Sequence, residues 1–210
     1  MTETLHPEET ITSLLLIRHG HTEATEKGRL YTDPLAELTE VGVEQSKKLA
    51  AWMKENRPDL IISSTAKRVT STATIIGDAI NVDPISVNGL EEWHVGEWEG
   101  RSYLDIKKNE PELYKTWSSD PIVNRPPGGE SISDVCVRVN KRIEELVAEY
   151  DGKKIALVTH AGVIRAILVQ ALGMSVHNFW RLSIPVGSVS RVDFSKSFAT
   201  VYFVSFTPGM

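Results

Sequence analysis

The chain has a single cysteine, Cys136, among 210 residues, which excludes an intramolecular disulfide framework and fits a reducing, cytoplasmic compartment. Cys136 falls in a helical period and reads as a small buried apolar side chain. No apolar run approaches the roughly 18 residues needed to span a bilayer, and the run Leu14 to Ile17 is only strand-sized. Positive charge is in the minority, 23 Lys and Arg against 28 Asp and Glu. The net charge of −5 argues against a broad basic face for nucleic acid, but not against a small anion held by local charges. The first residues, 1–12, lack the basic start and apolar stretch of a secretory signal and read as a loose arm. The rest, 13–210, is sized for one domain with one sizeable core.

Three short runs rich in branched apolar residues, Ser13 to Ile17, Asp59 to Ile62 and Ile155 to Val158, suit strands covered on both faces, as in a parallel sheet. Between them lie helical periods. Ala66, Val69, Ala73, Ile76 and Ile80 recur at three- and four-residue steps, as do Ile132, Val135, Val139, Ile143 and Leu146. Thr39 can cap a helix to about Lys54 that buries Leu49, Trp52 and Met53. A helix from Val163 to Ala171, apolar nearly all round, belongs at the centre. Val186 to Phe194 and Phe198 to Phe206 read as two strands around a turn at Ser195 to Ser197. The alternation predicts a three-layer α/β/α sandwich around a mostly parallel sheet.

The stretch 88–130 differs. It holds Trp93, Trp98 and Trp117, three of the five tryptophans, and four prolines, with no strand pattern and two short helices near Tyr103 and Pro111. It reads as a lid or specificity insertion, or as a surface excursion packed on its own aromatics.

Chemistry-bearing residues cluster at the ends of the predicted strands. Arg18-His19-Gly20-His21-Thr22 follows the first, Ser63-Ser64-Thr65 leads from the second into a helix carrying Arg68, and Thr159-His160-Ala161-Gly162 follows the third. Ligands of parallel α/β folds bind just outside the carboxyl ends of strands, and a helix N-terminus there favours an anion. Two arginines and two histidines at such a place suit a phosphate, whose oxygens pair bidentately with guanidinium. Singly, each reads more simply as a structural or solvated side chain; their coincidence reverses that reading.

Six segments in order resemble the histidine phosphatase superfamily, in the branch that also holds phosphoglycerate mutases. They are Arg18-His19-Gly20-His21-Thr22; Leu38-Thr39 with Gly42 and Gln45; Ser63-Ser64 with Arg68; and Leu90-Glu91-Glu92 through Gly96 to Trp98-Glu99-Gly100. The last pair is Gly128-Gly129-Glu130-Ser131 and Thr159 to Arg165. The resemblance covers about Leu14 to Phe203. It implies that His19 attacks phosphorus, that Arg18, Arg68 and His160 hold the phosphoryl oxygens, and that a glutamate donates the proton. The family's acid stands four residues before the glycine matching Gly96, which selects Glu92, with Glu91 as the fallback. Thr22 and Thr25 are placed beside the phosphate; Thr25 stands where the family commonly has asparagine, and its hydroxyl reaches less far. The loop 28–33 also lacks the usual glutamine-glycine pair.

A histidine nucleophile must be neutral. Arg18 and Arg68 are expected to lower the pKa of His19, and its other ring nitrogen to donate to a backbone carbonyl. His160 would stabilise phosphoryl charge best when protonated. The implied activity is a metal-independent phosphomonoesterase without cofactor, acting on a small-molecule phosphomonoester. Ser118 and Ser119 stand where mutases carry arginines, which favours a hydrolase over a phosphoglycerate mutase. The stretch from Gly173 to Trp180 resembles α-ribazole and broad-specificity phosphatases, which suggests α-ribazole 5′-phosphate or a sugar phosphate as substrate. A non-catalytic phosphate- or phosphopeptide-binding module would not need Glu92. A metal phosphatase built on His19, His21 and His160 would lack a recognised ligand spacing. The residues leave a homodimer open and give no indication of nucleic-acid or membrane partners.

Overall fold

A computed structural model gives the fold and describes residues 10–27, 30 and 33–209. Most of the expected arm, 1–9, and positions 28, 29, 31 and 32 of the loop without the glutamine-glycine pair lie outside the described residues.

The first half runs β1 (Thr12–Arg18), α1 (Glu23–Lys27), α2 (Glu40–Glu55), β2 (Leu60–Ser63), α3 (Lys67–Ile80) and β3 (Pro84–Ser86). The insertion contributes α4 (Tyr103–Asn109) and α5 (Pro111–Ser119), and the chain closes with α6 (Ile132–Glu149), β4 (Lys154–Thr159), α7 (Ala161–Ala171), β5 (Val189–Phe194) and β6 (Ala199–Phe206). One six-stranded sheet has the order β3-β2-β4-β1-β5-β6. β3, β2, β4 and β1 are parallel, β5 runs antiparallel to β1, and β6 antiparallel to β5. The fold is thus an α/β sandwich with a mixed sheet whose site-bearing part is parallel.

Strand alternation divides the core in two. Leu14 and Leu16 of β1 face one apolar cluster with α6, α7 and the insertion; Leu15 and Ile17 face the other with α2 and α3. Residues buried on both faces need no polar alternation, which is why these strands read as continuous apolar runs. α7 is buried from Ala161 to Val169 except at Arg165. Thr39 caps α2 by accepting the Gly42 amide at 3.2 Å. Trp52 departs from expectation: it is only partly buried and packs edge-on against Phe203 of β6.

Two elements escaped the pattern reading. β3 is three residues long and starts at a proline, and α1 is one turn of five residues, so neither shows a period. Val186 and Gly187, expected in a strand, form a turn before β5. In the insertion, Trp117 stacks on Trp93 at 6.1 Å and on Tyr103 at 5.5 Å, with Trp98 edge-on at 5.2 Å. Losing a buried tryptophan typically costs about 3–5 kcal/mol, so these rings hold the irregular backbone in place. No described helix is long and apolar enough to cross a membrane.

Candidate active site

β1 and β4 are neighbours with Arg18 opposite Thr159, so the residues that follow them leave the sheet side by side. The His19 amide donates to the Thr159 carbonyl (3.1 Å) and the Ser64 amide to the Val158 carbonyl (3.1 Å), stitching the three strand ends together. Behind this, Gly20 lies against the first turn of α2: a Cβ on Gly42 would fall 2.2 Å from the His21 carbonyl oxygen. Only hydrogen fits there, which gives the spacing between the two motifs a physical reason.

His19 is buried, and its Nδ1 lies 2.7 Å from its neighbour's carbonyl, Gly20 O. A carbonyl only accepts, so Nδ1 carries the proton and Nε2 the lone pair. Arg68 Nε donates to that Nε2 at 3.3 Å. The pKa of His19 is lowered to about 3, first by burial, then by Arg68 and Arg18, against the Gly20 bond that raises it. The arginines were the expected cause; removal from water is the larger one. An ordinary imidazole titrates near 6.5. Nitrogen NMR should therefore find His19 in its neutral Nδ1–H tautomer from pH 8 to about 4, as expected for a pKa this depressed. A midpoint near 6.5 for this ring would contradict the geometry.

Arg68 is the hub. Its Nη2 donates to His160 Nδ1 (3.2 Å) and its Nη1 to the Asp33 carbonyl (2.8 Å). His160 Nε2 faces the Ser64 hydroxyl at 3.2 Å. Because guanidinium cannot accept, His160 Nδ1 bears a lone pair here. Burial, then Arg68, holds the His160 pKa well below the ordinary value. In the free pocket His160 thus accepts from Arg68 instead of donating into the cavity. Arg18 donates through Nη1 to the Ile184 carbonyl (2.6 Å), and its buried Nε has no partner among the described residues. Buried donors are nearly always paired, so an orphan beside two further arginines marks a place for an anion.

A cavity of about 200 Å³ collects Arg18, His19, Thr22, Thr25, Arg68 and Glu92. His160 touches it through Arg68. Thr22 and Thr25 pair their hydroxyls at 3.0 Å. Glu92 Oε1 accepts the amides of Trp93 (2.9 Å) and Gly162 (3.0 Å), while Oε2 has only a 3.4 Å contact to Gly162. The carboxylate therefore caps the first turn of α7, whose N-cap His160 offers no side-chain bond. Glu91 turns away, accepting the Gly89 amide at 2.9 Å and facing Arg138 at 3.8 Å. Of the two, only Glu92 lines the cavity that holds His19.

His21 does not line the cavity; its Nδ1 bonds the Thr39 hydroxyl (2.9 Å) and its amide the Gln45 side chain (2.8 Å). Among the described residues no three His, Cys, Asp or Glu side chains are grouped to hold a metal. A larger cavity of about 760 Å³ between α6, α7 and the β5–β6 turn contains neither histidine nor arginine. The sequence reading missed Arg165, Tyr103, Phe179 and Trp180 as lining residues. Arg165 lies over the rings of Phe179 (5.8 Å) and Trp180 (5.4 Å) and donates to the Leu182 carbonyl at 2.8 Å. It stood within a quoted motif, and its position four residues after Ala161 on α7 was the available signal. Burial, then Tyr114, pushes Tyr103 up to about 12, so it remains a phenol.

The chain belongs to the histidine phosphatase superfamily, branch 1, whose family pattern matches residues 14–205. Among individual relatives, the adenosylcobalamin/alpha-ribazole phosphatase of Salmonella typhimurium is 29% identical over 188 residues, 90% of this chain and 93% of that protein. The metal-independent phosphoserine phosphatase of Arabidopsis thaliana is 33% identical over 171 residues, 80% of this chain and 72% of the other. Bifunctional protein Rv2228c of Mycobacterium tuberculosis is 32% identical over 186 residues, 88% of this chain but 51% of that protein, so the chain spans about half its length. In structure, the alpha-ribazole phosphatase of Shigella flexneri superposes with a TM-score of 0.85 at 27% identity, over 93% of this chain and 96% of the other.

Proposed function

We propose that the chain is a metal-independent phosphomonoesterase that works through a phosphohistidine on His19. The observation that carries this reading is the neutral, buried His19, its Nδ1 proton tied to Gly20 and its Nε2 facing Arg68 in the cavity shared with Glu92. In the free pocket Arg68 occupies the lone pair that must attack. A phosphoryl oxygen is the better acceptor, since charge-assisted bonds are roughly twice as strong as neutral ones. Substrate thus takes Arg68 Nε and releases His19 Nε2. That nitrogen bonds phosphorus as the ester P–O bond breaks, and Glu92 in its acid form, with Oε2 free of strong amide bonds, passes a proton to the departing alkoxide. The resulting carboxylate then takes a proton from water attacking phosphohistidine, which regenerates neutral His19 and releases inorganic phosphate. A dianion beside His160 also favours a proton on that ring, turning Nδ1 from acceptor to donor. Arg18, Arg68 and Arg165 supply positive charge from side chains, and no metal is required for it.

The substrate is a small phosphorylated metabolite. Relatives named for alpha-ribazole, phosphoserine and glucosyl-3-phosphoglycerate support that class. The rim of Trp93, Tyr103, Phe179 and Trp180 supports a partly apolar leaving group such as that of α-ribazole 5′-phosphate, ahead of a sugar phosphate. 2-Phenylethyl phosphate, an alkyl ester with a comparably poor leaving group, should then have a higher kcat/KM than glycerol phosphate, and equal values would remove the preference. A mutase is disfavoured because Ser118 and Ser119 are exposed at the end of α5, bonded to the Lys115 and Thr116 carbonyls.

The test is turnover of an aryl phosphate in excess chelator with quenching in alkaline detergent, which preserves a phosphoramidate. Wild type should carry acid-labile phosphate that is absent from His19→Ala. Glu92→Gln should hydrolyse alkyl esters slowly. Full activity in His19→Ala, or activity abolished by chelator, would overturn the reading.

A further inference from the structure

Glu130, within the Gly128 to Ser131 motif, has no part in the chemistry above and does not line the cavity that holds His19. Arg138 of α6 grips its carboxylate as a fork, with Nε to Oε1 and Nη2 to Oε2 both at 2.8 Å. The remaining nitrogen, Nη1, donates to the carbonyls of Gly89 (3.2 Å) and Glu91 (3.1 Å). Glu130 accepts the His94 amide at 3.0 Å, and its own carbonyl accepts the Trp93 indole N–H at 2.6 Å. The pair therefore holds the backbone immediately before Glu92 and immediately after it. The base is rigid: α6 spans 18 residues, starts with a Ser131–Asp134 capping box, and buries Val135 and Val139 on its inner face.

We infer that the Glu130–Arg138 pair is a positioning device for Glu92, holding its carboxyl against the first turn of α7 where it can reach the leaving oxygen. The inference rests on the reading of Glu92 as proton donor. A simple surface ion pair would be worth little, but this one is a two-bond fork on side chains only 26% and 22% exposed, and it also binds two main-chain carbonyls. Among the described residues the Glu92 side chain is hydrogen-bonded by two amides alone, so its location depends on where the 89–94 backbone stands. A misplacement of about 1 Å can cost on the order of a hundredfold in rate.

Leaving-group dependence separates this from a general structural role. First-turnover rates would be measured on glycerol 3-phosphate, whose alkoxide needs a proton, and on 2,4-dinitrophenyl phosphate, whose phenolate does not. Arg138→Ala should slow the first ester by about 30- to 100-fold and the second by less than about threefold, with KM little changed. Arg138→Lys keeps the charge but loses the fork, and should fall between. Added to Glu92→Gln, Arg138→Ala should cost nothing further on the alkyl ester. Arg125→Ala, which removes a second bidentate pair with Asp134 without touching 89–94, should show no leaving-group dependence. Hydrogen exchange of the Gly162 amide gives a readout independent of turnover, and should accelerate in Arg138→Ala but not in Arg125→Ala. Equal losses on both esters, or full additivity with Glu92→Gln, would overturn the inference. If Glu92→Gln itself slows both esters alike, the proton-donor reading fails instead. The Gly162 exchange rate then still decides whether Arg138 holds the carboxylate: unchanged exchange means that it does not.

Discussion

Arg68→Ala is expected to lower kcat/KM for any phosphomonoester by about a thousandfold, and Arg68→Lys to recover little of the loss. One guanidinium meets three acceptors from three directions: His19 Nε2, His160 Nδ1 and the Asp33 carbonyl. Each donor aimed at transition-state charge is worth about 10²–10³ in rate, and in the proposed mechanism Arg68 turns at least one of its donors from histidine to phosphoryl oxygen on binding. Lysine presents a point charge without the planar fork and cannot address these directions together. The same change removes the second-largest cause of the His19 shift. The ring should therefore titrate higher in Arg68→Ala, moving the acid limb of kcat/KM upward. A variant within tenfold of wild type, with an unmoved acid limb, would show that Arg68 is not the hub.

Gly162→Ala should be nearly as damaging, although it adds one methyl group. A Cβ at this position would lie 2.3 Å from Glu92 Oε1 and 3.7 Å from the Trp93 side chain. The helix backbone is fixed by the sheet behind it, so the glutamate must leave, taking the proposed proton donor out of register and uncapping α7. General acid catalysis is typically worth 10²–10⁴, and a loss of about a hundredfold on alkyl esters is expected. Alanine is otherwise the better helix former, by up to about 1 kcal/mol. Thermal unfolding should change little while activity collapses, and that separation in one variant is the diagnostic result. Alkyl-ester activity within threefold of wild type would place the functional carboxyl elsewhere.

Much of the site was legible because its residues sit where strand patterns end. The runs ending at Ile17 and Val158 are visible as apolar segments, and the histidines follow them directly. Their convergence depended on β1 and β4 being neighbours, which the register confirms and which no local pattern encodes. Strand order and the reversed direction of β5 arise from long-range pairing and were likewise unreadable. The choice between Glu91 and Glu92 turns on which carboxyl faces α7, a matter of backbone direction within a loop that has no period. His21 shows the converse hazard: it stands inside the first motif yet serves Thr39 and the α2 cap. Tyr103 and Trp180 reach the cavity from segments far apart in the chain, so their aromatic character was visible but their meeting was not.

The two halves of the core are unequal in what they contain. Trp98, Ile106, Trp117 and Ile122 of the insertion belong to the same apolar cluster as Ile132, Val135 and Val139 of α6 and Leu14 of β1. The wall proposed to read the leaving group is thus continuous with the interior of the domain. Substrate preference in this architecture is then not a detachable module. Grafting residues 88–130 from a relative would bring foreign tryptophans against an α6 shaped for these. Useful exchanges would have to carry the inner face of α6 along with the loop.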